Sequence, residues 1–144
     1  MKKVLVMVMV AIMFVFGSVC FANTDGRDLD AQQKIVDIFL TGKSYAAIKP
    51  YMTDEYIKIF SEKDYLDMFS SMNQDLGKLQ EKDMLIFQKI KDGDVLRYAA
   101  KFEKANLMEI VAVFKITNGK SQLIGFNVFP PKMQQQQQNT NQQK

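Results

Sequence analysis

The chain has 144 residues with 19 basic and 16 acidic side chains, and it contains no histidine and one cysteine. This small positive excess is too weak to hold a phosphate backbone, so we expect no nucleic-acid partner. Without histidine the chain lacks the usual general base near neutral pH and the commonest zinc ligand, and it has no glycine-rich phosphate loop, so we expect no metal and no other cofactor.

Residues 1–22 have the layout of a secretory signal peptide. Two lysines precede an apolar run from Val4 to Phe16, and Cys20-Phe21-Ala22 supplies the small residues of a cleavage site. We therefore predict cleavage after Ala22 and an exported protein, periplasmic or extracellular, with no stable membrane association. Two alternatives stay open, an uncleaved anchor and acylation of Cys20. Cleavage removes the only cysteine, so stability must come from the core.

Helical spacing and end signals predict three helices before residue 61. The first runs from Asp30 to Leu40, with Gly42 beyond it as a left-handed stop. A short second helix is capped by Ser44 and ended by Pro50. A third begins at Thr53, which is followed by two acidic residues.

A fourth helix is the clearest of the chain. Ser61 and Asp64 resemble a capping box at its start, and Gly77 closes it. Its apolar stripe is long enough to cover a sheet and consists of Tyr65, Phe69, Met72 and Leu76. This spacing predicts a helix that buries one face and leaves the other in solvent.

Residues 79–129 contain four apolar runs separated by three similar turn signals. The signals are Lys91-Asp92-Gly93, Lys104-Ala105-Asn106 and Thr117-Asn118-Gly119. Each ends in a residue that tolerates positive φ, which predicts three-residue hairpins and an antiparallel meander. The resulting pairs are Ile86 with Tyr98, Tyr98 with Ala112, and Ala112 with Ile124. A two-residue Asn118-Gly119 turn is the alternative, and it would direct Leu123 and Phe129 inward.

All predicted pairs join even-numbered residues, so one face of the sheet is continuous. This even face is apolar from Met84 to Val128 and is expected to hold no carboxylate between Met84 and Ile116. It should be covered by helices, whereas the odd face should be partly wet. An apolar patch with a charged rim on the odd face is typical of a partner surface. The patch consists of Leu85, Phe87, Val111 and Val113, and scattered surface apolars on a monomer are the alternative.

The order of helices and meander resembles the nuclear transport factor 2-like (cystatin-like) superfamily over about residues 30–129, and the local sequence resembles exported bacterial domains of unknown function within it. The residues that carry the resemblance are Phe39-Leu40-Thr41-Gly42-Lys43, Tyr51-Met52-Thr53 and Leu76-Gly77-Lys78-Leu79. The resemblance implies an α+β domain over residues 23–129, with the helices packed on a curved, cone-like four-stranded meander. It also implies a homodimer through the outer sheet face. We interpret the glutamine-rich residues 130–144 as a disordered tail.

We therefore predict a non-catalytic binding or interaction module with a small apolar ligand in the cone. The candidate lining residues are Tyr65, Phe69, Met84, Tyr98, Ile110 and Phe114. The alternative is a cofactor-independent enzyme of the isomerase, cyclase or hydrolase type, since enzymes of the resembled superfamily keep an acid or base inside the cone. Asp64 or Asp67 would then act with Tyr98, although helix-surface acids more often cap or remain solvated.

Overall fold

Four helices precede a four-stranded antiparallel sheet in the computed structural model, which describes residues 26–131. The helices are α1 (Gly26–Leu40), α2 (Tyr45–Ile48), α3 (Asp54–Ile59) and α4 (Glu62–Asp75), and a 3-10 turn, Lys49–Tyr51, follows α2. The strands are β1 (Leu79–Ile90), β2 (Gly93–Phe102), β3 (Ala105–Thr117) and β4 (Lys120–Phe129). The predicted α+β meander is confirmed. The predicted signal peptide and the tail beyond residue 131 lie outside the described residues.

Most helix ends follow the local sequence signals. Thr53 accepts a hydrogen bond from the backbone N–H three residues later, and Ser61 with Asp64 forms a complete capping box. Gly77 ends α4 in the left-handed conformation, with a φ of 75°. Helix α2 ends at Ile48, just before Pro50 as predicted, and the chain continues through the proline as the 3-10 turn. Proline fits the start of that turn because its fixed φ is already helical.

All three hairpins are tighter than predicted. Two-residue loops join the strands, since Ile90 pairs with Gly93, Phe102 with Ala105, and Thr117 with Lys120. The predicted pairs Ile86–Tyr98, Tyr98–Ala112 and Ala112–Ile124 are therefore wrong, and Tyr98 lies opposite Met84 and Ile110. In the last loop Asn118 and Gly119 both adopt positive φ, 51° and 72°. Two successive positive φ values are the type I′ geometry that Asn-Gly favours.

A bulge in β1 changes which face its second half presents. The register shifts between Met84 and Ile86, so that Phe87 lies opposite Leu96 and faces the helices. The predicted outward position of Phe87 and the predicted inward positions of Ile86 and Ile90 are therefore wrong. One inserted residue inverts the alternation of every residue that follows it.

A second bulge lies in β4. Val113 pairs with Gly125 and Phe114 with Leu123, which leaves Ile124 as the extra residue. Leu123 is consequently buried, as the two-residue turn predicts, while Ile124 faces outward against the preferred register. Because the bulge restores the original alternation, Phe126 and Val128 pack against the core as predicted.

Helix α1 is the helix that packs most extensively on the sheet. The Phe39 ring lies 4.4 Å from the Phe126 ring of β4, and Tyr65 of α4 meets Phe39 edge to face at 5.3 Å. The predicted stripe of α4 does face the core, but its Tyr65 packs on Phe39 of α1, and α1 rather than α4 spans the sheet. The sheet is not strongly curled.

Candidate functional site

The inner face of the sheet, which the helices cover, is buried unevenly. Four inward residues of β1 are only partly buried: Lys82, Met84, Phe87 and Lys89. Their partners on β2 are at most 2% exposed and are, in the same order, Ala100, Tyr98, Leu96 and Asp94. We call the four β1 residues the β1 strip. The helices close over β2 and leave the β1 strip as an accessible border of the inner face.

Tyr98 lies next to the β1 strip with its hydroxyl unpaired. Its side chain is 1% exposed, and its Oη has no hydrogen-bond partner among the described residues. The Lys82 Nζ lies 4.2 Å from the Tyr98 ring centroid and 3.0 Å from the Asp37 carboxylate. Burial raises the pKa of Tyr98, and the negative charge of Asp37 raises it further. The hydroxyl is therefore a neutral donor without an acceptor.

A set of polar side chains is buried at the other end of the β1 strip. Gln32 of α1 and Asp94 of β2 are fully buried, and the Gln32 Nε2 donates to the Asp94 Oδ2 at 2.7 Å and to the Ser121 Oγ at 3.1 Å. The Lys89 Nζ lies 3.6 Å from the Asp94 Oδ1. We call Gln32, Lys89, Asp94 and Ser121 the polar cluster. Within the described chain, the Gln32 Oε1 and the Asp94 Oδ1 accept no hydrogen bond.

The expectation of an inner face without carboxylates is wrong at Asp94. Its even number places it inward by the alternation that the sequence predicts for β2, directly after the turn signal Lys91-Asp92-Gly93. The sequence also indicates an inward position for Gln32, because positions 32, 36 and 39 fall on one face of a helix. Val36 and Phe39 are buried core residues, so Gln32 is held inside by its own helix.

The six predicted lining residues fall into two groups. Met84, Tyr98 and Ile110 are cross-strand neighbours in one row of the inner face, and Phe114 lies opposite Asp94. Tyr65 and Phe69 lie on α4, and their rings stack on each other. Four of the six are fully buried, namely Tyr65, Tyr98, Ile110 and Phe114. Of the β-strand members, Met84 belongs to the β1 strip and Tyr98 is its partner on β2, whereas Ile110 and Phe114 lie farther in, on β3.

The two carboxylates considered for acid–base chemistry lie on the surface of α4. Asp64 accepts hydrogen bonds from the Ser61 hydroxyl and backbone, and these bonds lower the pKa of its carboxyl. Asp67 pairs with Lys63 one helical turn away. Both side chains are exposed, whereas Tyr98 is buried. An Asp–Tyr pair of these residues is not assembled.

The outer sheet face carries exposed aliphatic side chains at the β1 bulge. Leu85 is 57% exposed and Ile86 is 43% exposed. On β3, Val113 is buried and Val111 is partly buried. We call Leu85, Ile86, Val111 and Val113 the outer patch; it differs from the predicted patch by having Ile86 in place of Phe87. The Arg97–Glu109 ion pair, 3.1 Å long, lies beside it.

A separate groove of about 330 Å³ lies where α3 meets the sheet. It is lined by Thr53, Glu55, Tyr56, Ile59, Lys115 and Ile124. A backbone hydrogen bond of Glu55 lowers the pKa of its carboxyl, and the charge of Lys115 lowers it further. The groove is open to solvent and shares no residue with the β1 strip or the polar cluster.

Between residues 26 and 131 no group of side chains is arranged to hold a metal ion. No helix in that part of the chain is long and apolar enough to cross a membrane. No protein-family model, no curated protein and no solved structure matches the chain. Function is therefore inferred from the geometry of the site itself.

Proposed function

We propose that the chain is an exported, non-catalytic binding module that holds a small, largely apolar molecule along the β1 strip. The unpaired Tyr98 hydroxyl is the observation that carries this proposal. A buried donor without a partner costs about 1–3 kcal/mol of desolvation, and an acceptor atom on a ligand would remove that cost. Met84 and Phe87 supply apolar contact beside the hydroxyl, and both remain partly exposed. Export is supported by the signal-peptide pattern of residues 1–22.

We also propose the nuclear transport factor 2-like architecture with a cone-like sheet. The order of the elements supports this assignment, because the helices come first and lie on one face of a meander. Bulges in β1 and β4 bend and twist their strands, as closure of a cone requires. In such a cone the half-covered β1 strip is the place where a ligand would enter.

Binding is favoured over catalysis by the positions of the ionisable groups. The inner-face carboxylate, Asp94, and Tyr98 are four residues apart on one extended strand, a distance of about 13 Å. General acid–base catalysis requires both groups within hydrogen-bond reach of the reacting atoms. Because Leu96 lies between them, Asp94 and Tyr98 can contact opposite ends of one molecule but do not converge on one centre.

Native mass spectrometry of the mature protein from its own exported fraction tests the proposal. We expect a mass above that of the chain, and this excess should vanish on denaturation. Tyr98→Phe should weaken the affinity about tenfold and so lower the occupancy, since it deletes the anchoring hydrogen bond. Tyr45→Phe is the matched control because the Tyr45 hydroxyl already donates to the Phe60 carbonyl at 2.8 Å. A bound mass that survives Tyr98→Phe undiminished, or a wild-type chain without bound mass, would contradict the proposal.

A second candidate function is self-association through the outer patch. The outer face carries four positive and three negative side chains, so only a small net charge opposes the approach of an identical face: Arg97, Lys101, Lys115 and Lys120 against Glu81, Asp83 and Glu109. Two adjacent exposed aliphatic residues, Leu85 and Ile86, supply the apolar contact that a second copy would bury.

Analytical ultracentrifugation at micromolar concentration tests self-association. We expect a dimer for the wild type and a monomer for Leu85→Glu, because a charge in the buried centre of an interface is costly. Leu66→Glu is the matched control, since Leu66 on α4 is 53% exposed and lies away from the sheet face. A monomeric wild type, or equal effects of the two variants, rules out the outer patch as the interface.

A further inference from the structure

The unpaired buried polar atoms of residues 26–131 gather at one interface. They are the Tyr98 Oη, the Gln32 Oε1 and the Asp94 Oδ1, none of which has a hydrogen-bond partner there; the Asp94 Oδ1 does have an ionic partner, the Lys89 Nζ at 3.6 Å. All three belong to the contact between α1 and the inner face of β2. The first is a donor, and the other two are acceptors. Buried polar groups in folded proteins nearly always have hydrogen-bond partners, so three such atoms at one interface mark it as a place where a further molecule could pair with them.

The orientation of the Gln32 amide follows from its neighbour. A carboxylate only accepts hydrogen bonds, so the Nε2 must face the Asp94 Oδ2, which lies 2.7 Å away. A flipped amide would set two oxygens against each other at that distance. The Gln32 Oε1 therefore points away from the carboxylate, and its lack of a donor does not depend on how the amide is assigned.

The Tyr98 donor and the two acceptors, on Gln32 and Asp94, lie at opposite ends of an apolar path, the stretch of the inner sheet face between Tyr98 and Asp94. Asp94 and Tyr98 are about 13 Å apart along β2, and Leu96 with its partner Phe87 lies between them. Each end also has a lysine of the β1 strip, Lys89 beside Asp94 and Lys82 over the Tyr98 ring. One end of the path thus presents acceptors with a cation, and the other presents a donor with a cation.

We propose that the molecule bound along the β1 strip is an elongated apolar acid with a hydroxyl at its far end. This rests on the function proposed above. The carboxylate accepts a hydrogen bond from the Tyr98 hydroxyl and lies near the Lys82 ammonium. The terminal hydroxyl donates to the Asp94 Oδ1 and accepts from the Lys89 ammonium, which lies beside that oxygen. The unpaired donor thereby gains an acceptor and the unpaired acceptor gains a donor, and the carbon chain covers Phe87 and Met84.

A purely structural polar cluster explains less of the geometry. The two bonds from the Gln32 Nε2 do tie α1 to β2 and β4. A cluster built only for that purpose would need no acceptors left over, and it would not account for the orphaned donor at Tyr98. The hydroxy acid accounts for the cluster and for Tyr98 together.

Calorimetric titration of the mature full-length chain with two probes tests the proposal: ω-hydroxydecanoic acid and decanoic acid, whose extended carbon chains match the path in length. We expect the hydroxy acid to bind at least about tenfold more tightly, because its hydroxyl pairs with a charged, buried acceptor. In an apolar site the order would reverse, since an unpaired hydroxyl is costly to bury. The sign of the difference is therefore diagnostic without any variant.

Two variants locate the effect. Asp94→Asn keeps an oxygen for Gln32 but turns the orphaned acceptor into a donor, so the preference should fall to within about threefold. Lys82→Met should weaken both acids and leave the preference intact. Equal binding of the two probes, or tighter binding of decanoic acid, overturns the hydroxyl proposal but leaves the binding function standing. Binding of neither probe overturns both.

Discussion

Two buried regions of this protein differ in how their polar atoms are satisfied. In the aromatic cluster, which consists of Phe39, Tyr45, Phe60, Tyr65 and Phe126, the Tyr45 and Tyr65 hydroxyls donate to backbone carbonyls at 2.8 and 3.4 Å. At the α1–β2 interface, Gln32, Asp94 and Tyr98 are buried at least as deeply and retain unpaired atoms. Depth of burial therefore does not separate the two regions; hydrogen-bond satisfaction does.

Helix α1 contributes to both regions from its two ends. Phe39, near its C-terminal end, anchors the helix in the aromatic cluster, and Gln32, in its first half, brings an amide to Asp94. A fold is stable when its buried polar groups have hydrogen-bond partners, and exceptions to this rule concentrate at functional sites. We therefore assign stability to the Phe39 end of the contact between α1 and the sheet, and ligand recognition to the Gln32 end.

The largest effect on stability is expected from Phe39→Ala. The ring is 1% exposed and contacts the Phe60, Tyr65 and Phe126 rings, so its loss opens a cavity and should cost about 3–5 kcal/mol of unfolding free energy. Urea unfolding followed by circular dichroism measures this. Phe87→Ala on the partly exposed β1 strip is the control and should cost clearly less. Equal losses would mean that the β1 strip is as firmly packed as the cluster.

A smaller but still substantial loss is expected from Gln32→Leu. This change removes the amide that donates to the Asp94 carboxylate and should cost about 1.5–3 kcal/mol, the range for hydrogen bonds to charged groups. The same urea titration applies. Gln33→Leu, the neighbouring partly buried glutamine of α1, is the control and should change stability by about 0.5 kcal/mol or less. If Gln32→Leu leaves the unfolding free energy unchanged, the polar cluster contributes nothing to holding α1.

Alkaline pH should weaken the fold through its buried phenols. Burial raises the pKa of Tyr56 and of Tyr98 above the ordinary value of about 10. The unfolded chain therefore loses these protons first as pH rises, so their contribution is complete below about pH 10 and declines above it. Urea midpoints across this range, with tyrosinate absorbance recorded in parallel, test the sign. Tyr98→Phe should flatten the decline, and a midpoint that rises with pH would contradict it.

The sequence predicts the elements of this fold well because their signals are local. Thr53 and the Ser61–Asp64 capping box start helices within three residues of chain, and Gly77 ends one through its own φ. The apolar even face of β2 and β3 likewise follows from strict alternation. None of these features requires knowledge of a partner strand.

The register could not be predicted in the same way, because bulges depend on pairing across strands. Nothing next to Leu85 in the sequence marks it as an extra residue, and beside Ile124 only Gly125 indicates a bulge; each extra residue inverts the face of the residues beyond it. The polar cluster lay within reach of sequence reasoning, since the parity of Asp94 and the helical phase of Gln32 both point inward. That these two meet depends on where α1 crosses the sheet, which no local signal gives.

The smallest expected change in stability, that of Tyr98→Phe, is the most direct test of the difference between the two buried regions. In the ligand-free protein Tyr98→Phe should leave the unfolding free energy unchanged or slightly raised, because it removes a hydroxyl that has no partner. Tyr45→Phe in the aromatic cluster should cost about 0.5–1.5 kcal/mol, because it deletes a made hydrogen bond. Both variants remove one oxygen from a tyrosine ring of the core, so the same group is lost in each, once with and once without a hydrogen-bond partner. If Tyr98→Phe costs as much as Tyr45→Phe, its hydroxyl is paired inside the folded protein, and the contrast on which the recognition site rests disappears.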